Sequence, residues 1–343
     1  MERAVIISLS SVFLLLLSCH SYRPKEEPLV LSKPHEIVAV DSVYFPIKDP
    51  VSCMVISDSI LAIKHSRQMD SVLFTIYNVR SKSRVREVLY GQKEDQFLGL
   101  LYAYSSEGLV LHDFAKERFS LIKPDKIADQ GKLIFKETNI HAQCILPTKG
   151  DRLLFLNSNS FENRENRLLI SDAEYHYNSK RRVHIDTYNV VDGFMLMNEE
   201  GTRTYYFDKH SGIVELYDAR LSCLKRMIVQ DALSPDYVIY KSGKNKLRVF
   251  KGSVPYTFKA GSANPKGVLV LYDPCYLAGE RSLIYGESQP SLMMLDWEGE
   301  LKTLFLIPGG RHPVQCHATQ EGRIVLLFCE DNGIKEVIYE IAS

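Results

Sequence analysis

The chain lacks an excess of charge of either sign, since 42 Lys and Arg balance 42 Asp and Glu among its 343 residues. A protein that binds nucleic acid through phosphate contacts needs a basic surplus, so no nucleic-acid partner is predicted. The sequence also has no low-complexity tract, and its 45% hydrophobic and 24% charged residues are ordinary for a globular protein. Collagen-like, mucin-like and intrinsically disordered classes are therefore excluded.

The familiar catalytic motifs are missing as well. The sequence contains no Gly-x-Ser-x-Gly, His-Glu-x-x-His, P-loop, dinucleotide-binding fingerprint or Cys-x-x-Cys. Acidic pairs such as Glu94/Asp95 and Glu199/Glu200 lie in predicted loops, where solvated charge is favoured over a general acid/base pair. No catalytic residue and no cofactor are predicted.

Long apolar runs are absent except at the N-terminus, where Ala4–Leu17 follows Met1-Glu2-Arg3. A helix of that length covers about 21 Å, short of the roughly 30 Å of a bilayer core, which favours a secretory signal over a permanent span. Leu16-Leu17-Ser18-Cys19 resembles the bacterial lipobox, in which the cysteine is acylated after cleavage in front of it. Residues 1–18 are therefore predicted to be a lipoprotein signal peptide, with Cys19 as the site of lipid attachment.

Residues 19–35 are predicted to be a tether, because they are polar and contain three prolines. His20 follows the cysteine in place of the Asp of the inner-membrane retention signal, so the protein is expected in the cell envelope at the outer membrane. The periplasmic face and the cell surface stay open as alternatives. Lys25-Glu26-Glu27 resembles the export tags of Bacteroidetes surface lipoproteins, although a solvated linker is the favoured interpretation.

From residue 36 onward, short apolar or alternating runs are separated by Gly, Asn, Asp, Ser or charged pairs, as in Val51–Ile56, Gly267–Tyr272 and Arg323–Phe328. Short apolar runs separated by such residues are typical of strands joined by turns. Apolar residues at helical spacing are missing downstream of the signal. The fold class is therefore predicted to be all-β.

A four-strand unit recurs along residues 36–343, which are predicted to form a single domain. Six units begin near residues 51, 97, 140, 187, 236 and 312, which predicts a six-bladed β-propeller with four-stranded antiparallel blades. Asn78, Asp218 and Asp296 fall between the third and fourth strands, where an Asx side chain bonds its own backbone. The last unit supplies three strands, so Ile37–Phe45 is expected to pair with Glu336–Ile341 and close the last blade.

The chain resembles the TolB-like six-bladed β-propeller lipoproteins of Bacteroidetes in its lipobox and in two further segments. These are Tyr90-Gly91-Gln92-Lys93-Glu94-Asp95-Gln96-Phe97, where the family has a Gly-rich segment ending in Pro-x-Glu-Phe, and Leu295-Asp296-Trp297-Glu298-Gly299, where it has an Asp-Trp-x-Gly turn. The second segment retains the Asp-Trp-x-Gly turn of the family. The first segment departs from the family pattern, because it has one Gly and ends in Asp-Gln-Phe. The resemblance implies the propeller fold, and the family has no generally established activity. The protein is expected to be a monomer.

Two histidines, His141 and His317, fall on predicted first strands near the propeller axis and are the weak candidates for metal ligands. A histidine bonded to backbone or water is the favoured alternative, and no metal site is predicted. The remaining turn and strand-end histidines are expected to be solvated: His65, His112, His176, His184 and His210.

Three cysteines, Cys53, Cys144 and Cys316, fall on predicted first strands and are interpreted as small core residues. An exported location permits disulfides, but the pairing stays open among Cys53, Cys144, Cys223, Cys275, Cys316 and Cys329.

Four stretches are predicted to be long loops that form a binding surface or serve as decoration: Asn157–Asn166, Tyr175–Arg182, Val254–Asn264 and Asp273–Ser282. The leading hypothesis is a membrane-anchored, non-enzymatic propeller that binds a protein, peptide or glycan. The alternative is a metal-dependent carbohydrate hydrolase or lyase with its site at the central channel, using His141 or His317.

Overall fold

The fold is taken from a computed structural model of the chain. It describes residues 26–31, 33–66, 71–129, 131–140, 142, 144–157, 167–177, 192–229, 236–242, 245–278, 282–285, 289–319, 321–330 and 333–341. Residues 1–18, predicted to be a signal peptide, and Cys19 lie outside these ranges. Within them, no helix is long and apolar enough to cross a membrane.

The described chain is all-β, as predicted. Its strands are β1 (Glu26–Leu29), β2 (His35–Phe45), β3 (Pro50–Ser57), β4 (Ile60–His65), β5 (Val72–Asn78), β6 (Ser83–Leu89), β7 (Leu100–Ser105), β8 (Gly108–Asp113), β9 (Arg118–Ile122), β10 (Lys136–Glu137), β11 (Ile145–Thr148), β12 (Arg152–Leu156), β13 (Leu168–Ile170), β14 (Gly193–Met197), β15 (Arg203–Asp208), β16 (Ile213–Asp218), β17 (Cys223–Val229), β18 (Tyr237–Ser242), β19 (Asn245–Phe250), β20 (Val254–Asn264), β21 (Gly267–Ala278), β22 (Ser282–Tyr285), β23 (Ser291–Asp296), β24 (Leu301–Leu306), β25 (Gln315–Ala318), β26 (Ile324–Glu330) and β27 (Gly333–Ile341). Two 3₁₀ turns, Pro124–Lys126 and Pro308–Gly310, are the helical elements of the described ranges.

Consecutive strands form antiparallel sheets, which we letter in chain order. Sheet A is β3–β6, sheet B is β7–β10, sheet C is β11–β13 and sheet D is β14–β17. Sheet E is β20, β21, β23 and β24, with β22 paired to β21, and sheet F is β25, β26, β27 and β2. A short parallel pairing of β2 with β24 links sheets E and F. The first strand of each sheet begins at what we call the upper edge; the turn between the third and fourth strands lies at the opposite, lower edge.

Apolar runs recur in these strands because most sheets are buried on both faces. In β26, Ile324, Leu326 and Phe328 pack against sheet E. The alternate residues Val325 and Leu327 pack against sheet A. Two-sided burial explains why the sequence shows continuous apolar stretches where a half-exposed sheet would alternate.

A hydrophobic core fills each junction between successive sheets: A with B, B with C, C with D, D with E and E with F. One further core joins sheet F to sheet A and contains Phe45, Cys53 and Leu327. The end of the chain therefore packs against the first sheet.

The expected pairing of the N-terminal strand is present. β2 runs antiparallel to β27, with Ile37 opposite Ile341 and Phe45 opposite Ile334. It supplies the fourth strand of sheet F and covers the edge that β27 would otherwise expose.

The predicted Asx turns are confirmed in detail. Asn78 Oδ1 accepts the backbone N–H groups of Arg80 and Ser81 at 3.0 and 3.1 Å. Asp218 Oδ1 accepts those of residues 220 and 222, and Asp296 Oδ1 those of residues 298 and 300. Each side chain stabilises the lower-edge turn that follows it.

The prediction of a tether over residues 19–35 was wrong for its second half. Glu26–Leu29 forms β1, which pairs in parallel with Arg226–Val229 as a fifth strand on sheet D. Leu29 is 5% exposed and belongs to the core between sheets D and E. The acidic residues of the export-tag resemblance are ion-paired, Glu26 with Arg226 at 3.0 Å and Glu27 with Lys225 at 3.3 Å.

The prediction for the fifth unit was also wrong in its boundaries. Sheet E begins at Val254, whereas the segment near residue 236 forms a separate hairpin, β18–β19. Val254–Asn264 and the described part of Asp273–Ser282, predicted as loops, are strands. Register shifts between Tyr256 and Ala260 interrupt the alternation of β20, and this irregularity concealed the strand in the sequence. Most of Asn157–Asn166 and the second half of Tyr175–Arg182 lie outside the described residues.

Candidate functional site

The upper edges of sheets D and E carry two groups of ionisable side chains. In the first group, Asp192 lies directly before β14, and Lys209 and His210 follow β15. Lys209 Nζ is 3.3 Å from Asp192 Oδ1, and His210 Nε2 is 3.3 Å from Asp192 Oδ2. A single carboxylate thus contacts two nitrogen donors from the neighbouring strand end.

The ring of His210 is buried, at 4% exposure, and both of its nitrogens face acceptors. Nδ1 lies 2.6 Å from the carbonyl oxygen of Pro255, and Nε2 faces Asp192. A carbonyl and an ionised carboxylate only accept hydrogen bonds, so a ring nitrogen that bonds either partner does so as the donor. The rings of Phe250 and Tyr256 pack around it at 5.0 and 4.9 Å.

The electrostatics of this group favour the charged forms. Burial raises the pKa of Asp192, but the charge of Lys209 and the hydrogen bond from His210 outweigh burial and hold that pKa well below its usual range. Burial lowers the pKa of Lys209, because it disfavours the charged ammonium group. The attraction of Asp192 is stronger than this effect, so the net shift of the Lys209 pKa is upward.

In the second group, the carboxylate of Asp273 in β21 is fully buried and contacts Lys259 Nζ in β20. His312 Nδ1 lies 3.0 and 3.1 Å from the two oxygens of the same carboxylate. Because His312 belongs to the segment leading into β25, this group joins sheet E to sheet F.

Strand β20 connects the two groups. Its Pro255 carbonyl accepts from His210, and the backbone N–H of Thr257 donates to the carbonyl of Lys209 at 2.7 Å. Lys259 follows two residues later. The two groups therefore form one polar stretch, which we call the upper polar edge, defined by Asp192, Lys209, His210, Lys259, Asp273 and His312.

The metal-ligand candidates do not belong to this stretch. His317 lies on β25 with Nε2 4.0 Å from Asp58 Oδ1, near the lower edge. Burial lowers the pKa of His317, and the attraction of Asp58 opposes that shift. His141 lies outside the described residues. Among the residues that the structure describes, no three His, Cys, Asp or Glu side chains converge as a metal site.

The expectation that the turn and strand-end histidines are solvated was wrong for His112 and His210, at 0% and 4% exposure. His65 is half-buried and held by the Lys48 carbonyl at 2.8 Å and the Thr75 hydroxyl at 2.9 Å. The strand ends of one sheet are covered by residues of the neighbouring sheet. The sequence of a single repeating unit does not show this burial. His184 lies outside the described residues.

Sequence reasoning missed the upper polar edge, although a signal for it exists. A buried Asp or Asn ends, or directly follows, the second strand of three successive sheets, at Asp113, Asn157 and Asp208, and in sheet E the buried Asp273 directly follows the last residue of β21 that pairs with β23. Asp113 accepts the backbone N–H groups of Leu98 and Gly99, as expected for a structural acid in a repeat. Asp273 departs from that role because its carboxylate contacts both a lysine and a histidine.

The cysteine interpretation is confirmed for Cys53 and Cys316, which are buried on first strands. Cys144 is half-buried directly before β11, and burial raises the pKa of its thiol to about 11. All six cysteines of the described chain are free thiols.

Comparisons with known proteins address the fold. No protein-family model and no curated protein matches the chain. A solved member of the DUF4221 family from Bacteroides vulgatus is similar over 91% of this chain and 100% of its own, at 9% identity and a TM-score of 0.57. A candidate exported protein from Bacteroides fragilis is similar over 92% of this chain and 100% of its own, at 10% identity and a TM-score of 0.50. A β-propeller domain of Cps50 from Myceliophteria thermophila covers 89% of this chain and 100% of its own, at 9% identity and a TM-score of 0.42. The chain shares its all-β fold with the two Bacteroides proteins.

Proposed function

We propose that this chain is a cell-envelope lipoprotein whose domain, residues 26–341, is a six-bladed TolB-like β-propeller. The domain acts as a non-enzymatic, monomeric module that binds a protein, peptide or glycan. The core between sheets F and A supports six blades, because it completes a series in which every sheet packs against the next. Neighbouring first strands also bond to one another: Ser52 Oγ is 3.0 Å from Tyr102 OH, and Ser105 Oγ donates to the Pro147 carbonyl at 2.6 Å.

The observation that carries the binding role is the concentration of additional strands at the upper edge. The hairpin β18–β19 lies there, and the paired strands β20 and β21 continue beyond the end of β23, where β22 pairs with β21. Tyr240 is 60% exposed and Tyr276 is 36% exposed on these additions. Exposed tyrosines offer apolar area and a hydroxyl at low conformational cost, which suits peptide or glycan recognition.

The upper polar edge supports binding rather than catalysis. The ring of His210 is 4% exposed, and its two nitrogens face Pro255 and Asp192 of the protein itself, so neither nitrogen is directed at solvent. Asp273 is held by a lysine and a histidine within the protein. These contacts fix the strand ends that carry the exposed tyrosines.

Lipid attachment at Cys19 supports an orientation for this surface. β1 begins at Glu26, and its neighbour Glu27 contacts Lys225, which also bonds Glu300 in the lower-edge turn of sheet E. Six residues separate Cys19 from Glu26 and reach at most about 21 Å. An outer-membrane anchor therefore holds the lower edge near the lipid and leaves the upper edge facing away.

In-cell photo-cross-linking tests the binding surface. A photo-cross-linking amino acid is placed at Tyr240 or Tyr276 on the upper edge, with Arg220 in an exposed lower-edge turn as the matched control position. We expect discrete cross-linked species from the first two positions and none from the third. Equal cross-linking at Arg220, or no discrete species at Tyr240 and Tyr276, would refute an upper-edge binding surface.

A further inference from the structure

The junction between the last sheet and the first contains two cysteines on facing strands. Cys53 lies on β3, the first strand of sheet A, and is 5% exposed within the core that joins sheets F and A. Cys329 lies near the end of β26 in sheet F and is half-buried.

Strand alternation places the Cys329 side chain on the same junction. Val325 and Leu327 face sheet A, whereas Ile324, Leu326 and Phe328 face sheet E. Cys329 follows Leu327 by two positions and so points to the side of Cys53. Its partner across the strand pair, Ile334, belongs to the same core as Cys53.

The two sulfurs lie close enough across this junction for the Cys53 thiol to act as a hydrogen-bond donor toward Cys329 and for each to shift the pKa of the other. The thiol of Cys53 acts as the donor when Cys329 is the thiolate. This hydrogen bond raises the pKa of Cys53 and lowers the pKa of Cys329. The more accessible of the two sulfurs is therefore also the better nucleophile.

We propose that Cys53 and Cys329 form a disulfide that locks sheet F to sheet A when the protein meets a disulfide oxidant. The Cys329 thiolate attacks one sulfur of the oxidant, forms a mixed disulfide and expels the first thiolate. The Cys53 sulfur then attacks Cys329 Sγ, loses its proton to solvent and expels the second thiolate. Two protein thiols are oxidised and one oxidant disulfide is reduced to two thiols.

The other described cysteines have different surroundings. Cys316 Sγ donates to the Leu269 carbonyl at 3.5 Å, and Cys223 Sγ donates to the Lys225 carbonyl at 3.5 Å. Cys144 bonds the backbone of Met195. Cys53 and Cys329 differ from these three cysteines because each has the thiol of the other as its neighbour.

The position of the bond determines its effect. It would join strands from the two ends of the domain across the junction where the last sheet meets the first. A cross-link between residues so distant in sequence restricts the unfolded chain strongly, so oxidation is expected to raise the midpoint of thermal unfolding by about 5 °C or more.

The test uses the full protein purified under reducing conditions and then treated with oxidised glutathione. Remaining thiols are alkylated, and non-reducing peptide mass spectrometry locates the disulfides. We expect a Cys53–Cys329 peptide pair and a raised unfolding midpoint that dithiothreitol reverses. Cys53→Ala and Cys329→Ala should lose both effects, whereas the control Cys144→Ala should keep them.

Two outcomes would overturn the proposal. In one, both cysteines of the folded wild-type protein stay open to alkylation after oxidation. In the other, Cys329 stops at the mixed disulfide with glutathione. Both are read on the wild-type protein, so a variant that fails to fold does not obscure them. Because the oxidant is added to purified protein, the result is also independent of whether Cys19 is lipidated.

Discussion

At the scale of single residues, the upper polar edge is organised by two carboxylates that each contact a lysine and a histidine. For Asp192 the two partners hold the pKa below the value of an unfolded chain, about 3.9. A depressed folded-state pKa means that the ionised carboxylate stabilises the fold above the unfolded pKa. That stabilisation is lost as the pH falls toward the folded pKa.

Replacing Asp192 by Asn should therefore destabilise the protein in a pH-dependent way. At pH 7 we expect the free energy of unfolding to fall by about 1–3 kcal/mol, because Lys209 and His210 lose their charged partner. At pH 3 the carboxyl group of Asp192 is largely protonated in the unfolded chain, which removes part of its contribution to the free energy of unfolding, so the difference between the two proteins should shrink. Urea unfolding at both pH values measures it.

The matched control is Asp151→Asn. Asp151 pairs with Lys123 at 3.5 Å, but its side chain is 63% exposed, so its removal should change stability by less than about 0.5 kcal/mol. A pH-independent loss on Asp192→Asn would show that packing, and not charge, accounts for the effect.

At the residue scale, contacts between residues that are close in sequence could be predicted, and contacts between distant residues could not. Asn78, Asp218 and Asp296 were predicted correctly because each bonds backbone only two to four positions away. The contact between Asp273 and His312 spans 39 positions and depends on how sheets E and F pack. A pattern of neighbouring residues cannot predict a contact between residues so far apart in the sequence.

At the scale of elements, β1 turns part of a predicted tether into folded structure. Four residues with two glutamates and a proline carry no strand pattern of their own. They become a strand because β17 offers an unpaired edge and because Leu29 reaches the core beside Val229. The edge that receives β1 is a tertiary feature, which explains why the sequence indicated a linker.

Truncation of Leu29 tests this docking. Leu29→Ala should lower the free energy of unfolding by about 2–3 kcal/mol, because it removes a buried side chain from the core between sheets D and E. Val30→Ala is the control, since Val30 is 60% exposed and should change stability by less than about 0.5 kcal/mol. Chemical denaturation of both variants measures the difference, and equal stability would mean that β1 is not docked in solution.

The all-β class and the pairing of β2 with β27 followed from apolar runs and from counting strands. The boundaries of sheet E did not, because bulges in β20 break the alternation and because the hairpin β18–β19 occupies the place of an expected first strand. A hairpin inserted between two repeating units displaces the expected start of the next unit by whole strands. The displacement becomes visible only when it is known which strands pair with each other.

At the scale of the whole molecule, β1 begins near the lower edge, on the side of the domain opposite the upper edge. Cys19→Ala should abolish acyl labelling and move the protein from the membrane fraction to the soluble fraction, because the anchor is predicted to be acyl chains alone. Metabolic labelling with a fatty-acid analogue and cell fractionation measure both effects. Cys144→Ala serves as the control, and membrane retention by Cys19→Ala would contradict the lipoprotein assignment.

The pairing of β2 with β27 also sets the order in which the molecule assembles. Ile341 is synthesised about 300 residues after Ile37, yet the two are partners in neighbouring strands. Sheet F cannot be completed while the chain is still being synthesised, and contacts between distant parts of a chain form slowly. For the exported lipoprotein proposed above, a chain whose sheet F still lacks β27 would stay unfolded enough to pass through an export channel. Sheet F would then be completed after export, when β2 and β27 first meet.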